Sequence, residues 1–150
     1  PMDVIDGYLE PLGDRFDLLH PTTPFLQVAD LKTVSGKRSG LGKLIADLPG
    51  GAPFFTTRAG RQLESLSFAE AARWLVHCQA FDPSGIKTGA AWDDRVKGGK
   101  GYPFGYPAWA GNLGLVIATG AALYETLLFN HPLTSSGPDD LPAWERVPVS

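Results

Sequence analysis

The sequence predicts an α+β fold: a single irregular domain fragment with short strands, a few helices and long Gly/Pro-rich loops. Three observations lead there. Eighteen glycines and thirteen prolines in 150 residues impose many turns and keep regular elements short. One stretch, Phe68 to Phe81, carries a capped helical pattern, whereas FLQV (25–28), PFFTTR (53–58) and LGLVIAT (113–119) have the aromatic and β-branched character that suits strands. The 43% hydrophobic content is enough for one ordinary core and excludes wholesale disorder.

Taken in order, Asp3 to Leu12 predicts a short helix with Val4, Ile5, Tyr8 and Leu9 on one face, ended near Pro11 and Gly13. Two prolines then force extended chain, and FLQV follows as a short strand. Lys32 to Gly40 is a polar turn region. LGKLIADL (41–48) has a short helical pattern, stopped by Pro49 and two glycines. The strand PFFTTR leads into a flexible basic stretch, RAGRQ. In the strongest helix, Ser67 and Glu70 form an S-x-x-E capping box that satisfies two orphan amides. Phe68, Ala71, Ala72, Leu75 and Cys78 make its core-facing stripe, with Glu70, Arg73 and His77 on the other face. Pro83 and Gly85 stop it.

The run from 113 to 130 is apolar, but Gly120 interrupts it and Glu125 lies inside it. A buried strand, a glycine turn and a buried helix fit it better than a membrane span, which needs about 20 predominantly apolar residues. Residues 1–132 are therefore expected to form the folded part. The acidic, Pro/Ser-rich stretch 133–150 is expected to be a tail or linker, or a peptide packed on the surface. The start at Pro1 suggests a trimmed or excised piece, with no basic leader ahead of an apolar run. A lone cysteine cannot form an internal disulfide, so a reducing cytoplasm is the default compartment.

Charge is unevenly spread. The chain carries a net −3, yet residues 31–100 hold eleven Lys/Arg against six Asp/Glu. Between residues 31 and 61, Lys32, Lys37, Arg38, Lys43, Arg58 and Arg61 face only Asp47. That asymmetry is compatible with an anionic partner at the centre of the chain, and equally with a solvated surface of mixed charge. The whole chain is too acidic for an indiscriminate nucleic-acid coat.

The most informative segment runs from Asp82 to Pro107, with six glycines, three prolines, four Lys/Arg and four aromatic residues. Neither a helix nor a regular strand tolerates that composition, and loops of such length are usually functional or disordered. Glycine backbone approaches a ligand closely, lysines suit phosphates and aromatics suit bases, so the segment reads as a contact loop. Lys87, Lys97 and Lys100 are its candidate phosphate contacts, and the backbone at Gly85 and Gly89 is a candidate for close approach to a minor groove. A second candidate is the aromatic, basic run at 54–61. There Phe54 and Phe55 either stack on bases or belong to the core, and Thr56 and Arg58 stand where phosphate contacts would be.

Catalytic constellations are not legible. Gly85-Ile86-Lys87-Thr88 fails as a phosphate-binding P-loop, because Ile86 splits Gly from Lys, Ala80 stands where the earlier glycine belongs, and a helix precedes it. His20, His77, His131 and Cys78 lack metal-ligand spacing, and Cys78 reads as a core residue. Asp93-Asp94, beside Arg95, Lys97 and Lys100, reads as a solvated turn; a small enzyme using that pair would require a bound divalent metal. The expectation is a protein that is not an enzyme and uses no cofactor or metal.

Several runs in order, FDLLHPTTPFLQ, GLGKLI, PFFTTRAG, LSFAEAARWLVHCQAFDPSGIKTG, the Lys/Gly loop and GLVIATGAALYETLLFN, together resemble the large-subunit family (CasA) of type I-E CRISPR Cascade complexes. The likeness runs through nearly the whole chain, as an internal piece of the amino-terminal domain of a much longer subunit. It implies a cytoplasmic, non-catalytic recognition protein in antiviral defence. Its implied partners are the CRISPR guide RNA, double-stranded target DNA, other Cascade subunits and a nuclease-helicase recruited in trans, with no membrane. By the same resemblance, Phe55, Thr56 and Thr57, with Arg58 beside them, match the loop that touches the 5′ handle of the guide RNA. The segment around Ser84, Gly85, Lys87 and Gly89 matches the glycine loop beside the PAM, the short motif flanking the target; Lys97 and Lys100 stay candidates of the same PAM-proximal loop through their charge. Ile86, Lys87 and Thr88 depart from the consecutive glycines of that family loop. Parts of 58–64 and 84–104 are expected to be mobile without nucleic acid. A protein-interaction domain, its glycine-rich loop docked on a neighbouring subunit, is the alternative.

Overall fold

The computed structural model describes residues 2–48, 56–58, 64–83, 86–101, 108–112, 114–132, 137 and 139–148. The chain opens with helix α1 (Met2–Leu9), which runs directly into a 3-10 helix over Glu10–Phe16. Helical backbone thus continues past Pro11 and Gly13, where it was expected to end. Pro11 falls in the first turn of the 3-10 segment, where a missing N–H costs nothing.

The far end of the chain folds back onto this pair. Trp144 Nε1 donates to the Tyr8 hydroxyl at 2.8 Å, and that hydroxyl donates to the Glu145 carboxylate. Arg15 Nη2 donates to the carbonyls of Ala143 and Arg146, both at 3.1 Å. The Trp144 ring lies 5.5 Å from Phe16, which lies 5.5 Å from Phe25. Residues 141–148 are therefore a peptide docked on the surface through one aromatic anchor.

FLQV is not a strand. Phe25 N–H donates to the Asp17 carbonyl at 2.8 Å, Gln27 N–H donates to Pro24 at 3.1 Å, and Leu26 adopts a φ of +51°. Pro24 starts a turn here, and a left-handed Leu26 is incompatible with a pleated ladder. The LGKLIADL pattern yields only one 3-10 turn, Leu41–Lys43. It nonetheless positions Ile45, which at 1% exposure is the fully buried hydrophobic among the described residues. The expected strand 53–58 lies partly outside those residues, and Thr56–Arg58 joins no ladder.

Helix α2 (Phe68–Phe81) forms as the periodicity requires. Ser67 Oγ accepts from Glu70 N–H at 3.3 Å, which is one half of the capping box. The other half is absent, because the Glu70 carboxylate is engaged elsewhere. Ala71, Ala72, Leu75 and Cys78 are half-buried, and the Cys78 thiol donates to the Leu44 carbonyl at 3.5 Å beside Ile45. Phe68, expected in the core stripe, is 67% exposed at the first turn. After α2, short helix α3 (Trp109–Asn112) is held against its end by Ala108 N–H donating to Asp82 C=O at 3.1 Å.

Residues 114–119 form no bridge with a described residue, and α4 (Leu123–Phe129) follows. The Asn130 side chain fastens the two together, donating to Ala118 C=O at 2.8 Å and accepting from Ala118 N–H at 3.1 Å. The expectation that this strand-turn-helix is buried is corrected: Val116 is 98% exposed, and Leu123, Leu127, Leu128 and Phe129 are all exposed. No described element packs over that face. No helix among the described residues is long and apolar enough to cross a membrane.

Candidate nucleic-acid interface

β structure appears where the sequence predicted a loop. Lys97 and Lys100 exchange backbone hydrogen bonds at 3.0 and 3.1 Å around Gly98 and Gly99, whose φ values are +58° and +74°. Two consecutive positive φ angles in a two-residue turn define a type I′ hairpin, which glycine adopts without steric cost. Gly89 N–H donates to Gly99 C=O, and Gly101 N–H donates to Lys87 C=O, both at 3.0 Å. Thr88 and Lys100 therefore form a non-hydrogen-bonded pair, the closer type, with their side chains on one face. A third segment joins on the other side through a Thr33–Ala90 bridge and Ala91 N–H donating to Lys32 C=O at 2.8 Å. Isolated bridges hold this cluster, so the α+β description reduces to helices plus single bridge pairs among the described residues.

The cations of this region divide into two groups. Lys87 Nζ lies 2.6 Å from Asp82, and Arg95 bonds the Asp93 carboxylate with Nε and Nη2, both at 2.8 Å. That pairing, together with the Arg95 backbone N–H, holds the Asp93 carboxyl below its usual range. Lys97 and Lys100 are exposed and make no ion pair with a described residue, so the hairpin presents two free ammonium groups. Gly89 is buried, and a Cβ there would collide with the Val96 side chain. Its glycine thus serves close packing of the loop on itself.

Arg58 is the best-anchored cation described. Its Nη2 lies 2.5 Å from Glu70, its Nε donates to both Asp47 carboxylate oxygens at 3.2 and 3.3 Å, and its guanidinium sits 5.8 Å from the Trp74 ring centroid. Glu70 also accepts from Trp74 Nε1 at 3.5 Å. From Trp74 the aromatic row continues along α2 through His77 to Phe81, at 5.4 and 5.0 Å. On the face that periodicity marks as solvated, Glu70, Trp74 and His77 are half-buried, while Arg73 and Phe81 stay exposed. Thr56 Oγ1 accepts from Arg58 N–H at 3.2 Å, and Thr57 beside it is exposed.

Comparison with known proteins gives a single answer. The family model described as CRISPR-associated protein Cse1 matches residues 1–150. The chain belongs to the Cse1 family. A curated relative, the CRISPR-associated protein CasA/Cse1 of Thermus thermophilus, is 38% identical over 152 residues, covering 99% of this chain and 28% of the relative. The crystal structure of Thermobifida fusca Cse1 superposes with a TM-score of 0.79 at 53% identity, and that of Acidimicrobium ferrooxidans Cse1 with 0.73 at 38%. Each covers 100% of this chain and 28% of the solved one, so the chain spans a little over a quarter of the length of these relatives.

Within this Cse1-family chain the candidate residues fall in two places. Thr56, Thr57 and Arg58 lie at the Asp47–α2 junction; Lys87, Gly89, Lys97 and Lys100 lie in the bridged loop. Phe55, Ser84 and Gly85 lie outside the described residues, as do 59–63 and 102–104 of the segments expected to be mobile. Reading along the chain missed the partnership of the 30s loop with the glycine loop. The contact is made by backbone groups, so neither charge nor spacing along the chain signals it. Among the described residues no three His, Cys, Asp or Glu side chains gather as a metal site.

Proposed function

We propose that this segment belongs to a non-catalytic nucleic-acid recognition subunit of a type I-E CRISPR Cascade complex. In that role it works in the cytoplasm in antiviral defence, bound to other Cascade subunits and to the guide RNA. The observation that carries the reading is a family match over all 150 residues, joined to a hairpin whose Lys97 and Lys100 ammonium groups have no carboxylate partner among the described residues. The hairpin and the glycine loop contact the duplex beside the PAM, supplying phosphate contacts that set position while guide pairing reads sequence. Thr57 and Thr56, with Phe55, contact the 5′ handle of the guide RNA. Arg58 orders that segment through Asp47 and Glu70. Recruitment of a separate nuclease-helicase falls to the assembled subunit.

The test is duplex binding by the full-length subunit in its assembled complex, comparing Lys97→Ala plus Lys100→Ala with the parent across a salt series. Loss of two phosphate contacts makes the slope of log K against log salt shallower by about 1.8. An unchanged slope with intact assembly refutes DNA contact by the hairpin. A protein-docking role for this chain has its own support in the exposed apolar surface of 115–117 and α4. It predicts weak salt sensitivity.

A further inference from the structure

The loop at 30–39 has no role in the reading above, yet it borders a groove of about 1110 Å³ together with Thr88 and Ala91 of the glycine loop. Lys32, Lys37 and Arg38 line this groove against a single carboxylate, Asp30. All three cations are exposed and none forms an ion pair with a described residue, unlike Arg58, Lys87 and Arg95. The loop that carries them is internally braced. Gly36 N–H donates to Thr33 C=O at 2.9 Å, Thr33 Oγ1 donates to Lys37 C=O at 3.1 Å, and Lys37 N–H donates to Ser35 Oγ at 3.4 Å. The Thr33–Ala90 bridge and the Ala91-to-Lys32 hydrogen bond then fix it to the same bridged loop that holds the Lys97–Lys100 hairpin.

We infer that this groove is a phosphodiester-binding site, in which Lys32, Lys37 and Arg38 neutralise successive phosphates of a nucleic-acid backbone while the Thr33 and Thr88 hydroxyls flank it. Three observations favour a polyanion over a small ligand. The groove is lined mainly by one loop, residues 30–39, and is not enclosed. Its cations are spread over seven residues, so they suit several charges rather than one. Thr88, which lines the groove, also pairs with Lys100 of the hairpin, so the two sets of cations belong to one bridged cluster. The inference deepens the nucleic-acid reading and extends it to residues that reading does not use.

The experiment uses the full-length subunit in its assembled complex, carrying Lys32→Gln, Lys37→Gln and Arg38→Gln together. Two probes separate the sources of phosphate: a DNA duplex, and a single-stranded RNA of the guide 5′ end. Loss of three contacts makes the salt slope shallower by about 2.7 on duplex, or by about 2.1 on single strand, with affinity near physiological salt lower by about tenfold. A change on either probe supports the groove and names its nucleic acid. Unchanged slopes on both overturn it, including when assembly weakens, which assigns the groove to an acidic protein surface. If the triple variant does not fold, Lys37→Gln and Arg38→Gln singly read a slope change of about 0.9 each on duplex. The Lys97→Ala plus Lys100→Ala variant, run alongside, keeps the two ideas apart. A hairpin effect without a groove effect refutes only the groove, and the reverse refutes only the hairpin.

Discussion

The Arg58 guanidinium meets the Glu70 carboxylate at 2.5 Å, and this contact joins an irregular loop to the first turn of α2. The same carboxylate takes Trp74 Nε1, and the same guanidinium takes Asp47. Arg58 is thus a junction between three parts of the chain, with only 18% of its side chain exposed. Arg58→Lys is expected to lower the thermal midpoint nearly as far as Arg58→Ala. A lysine cannot bridge two carboxylates and stack on an indole at once. The midpoint of the full-length protein measures this, and the nucleic-acid salt slope should stay within error of the parent.

The junction also predicts an acid limb. The Arg58 hydrogen bond holds the Glu70 carboxyl below its ordinary value of 4.5, partly offset by desolvation. A carboxyl depressed in the folded state stabilises the fold above its unfolded value. That contribution is lost as pH falls through the depressed one. Stability should therefore be flat above about pH 5.5 in this respect and decline below pH 4.5. Glu70→Gln should make the decline shallower in denaturation curves taken between pH 3 and 7. An identical acid limb in the variant would exclude Glu70 as a contributor.

Gly98 and Gly99 set the geometry of the lysine hairpin. Placing alanine at either imposes a left-handed conformation on a residue with a Cβ, at a cost of about 1–2 kcal/mol each. Because the hairpin lies at an exposed edge, the expected result is local: faster amide exchange at Gly89 and Gly101, with the global midpoint little changed. Duplex binding by the assembled complex should weaken in parallel, as Lys97 and Lys100 lose their fixed separation.

Ser67 caps α2 alone. Ser67→Ala should cost about 1 kcal/mol in urea denaturation and Ser67→Gly only a few tenths, since glycine leaves the cap amides open to water. Ser67→Asp should restore stability. If alanine and glycine prove equal, the Ser67–Glu70 hydrogen bond is not the stabilising element.

Local chemistry determined α2, its Ser67 cap and the family resemblance that the whole-chain match bears out. These rest on contacts within a few residues or on order along the chain, and both are written in one dimension. Tertiary structure alone decided the rest. FLQV has strand composition, but Pro24 and Leu26 turn it back onto Asp17. The Gly/Lys loop has loop composition, yet hydrogen bonds across ten or more positions, and one to Lys32, give it paired backbone. The side of α2 that carries Glu70 and His77 looked solvated because Arg58, twelve residues before Glu70, is invisible to helical periodicity. The apolar 115–129 stretch looked buried because hydropathy counts side chains and cannot say what covers them. In each case the missing quantity is the same. A residue's partner across the fold depends on chain closure over distance, which spacing and composition do not encode.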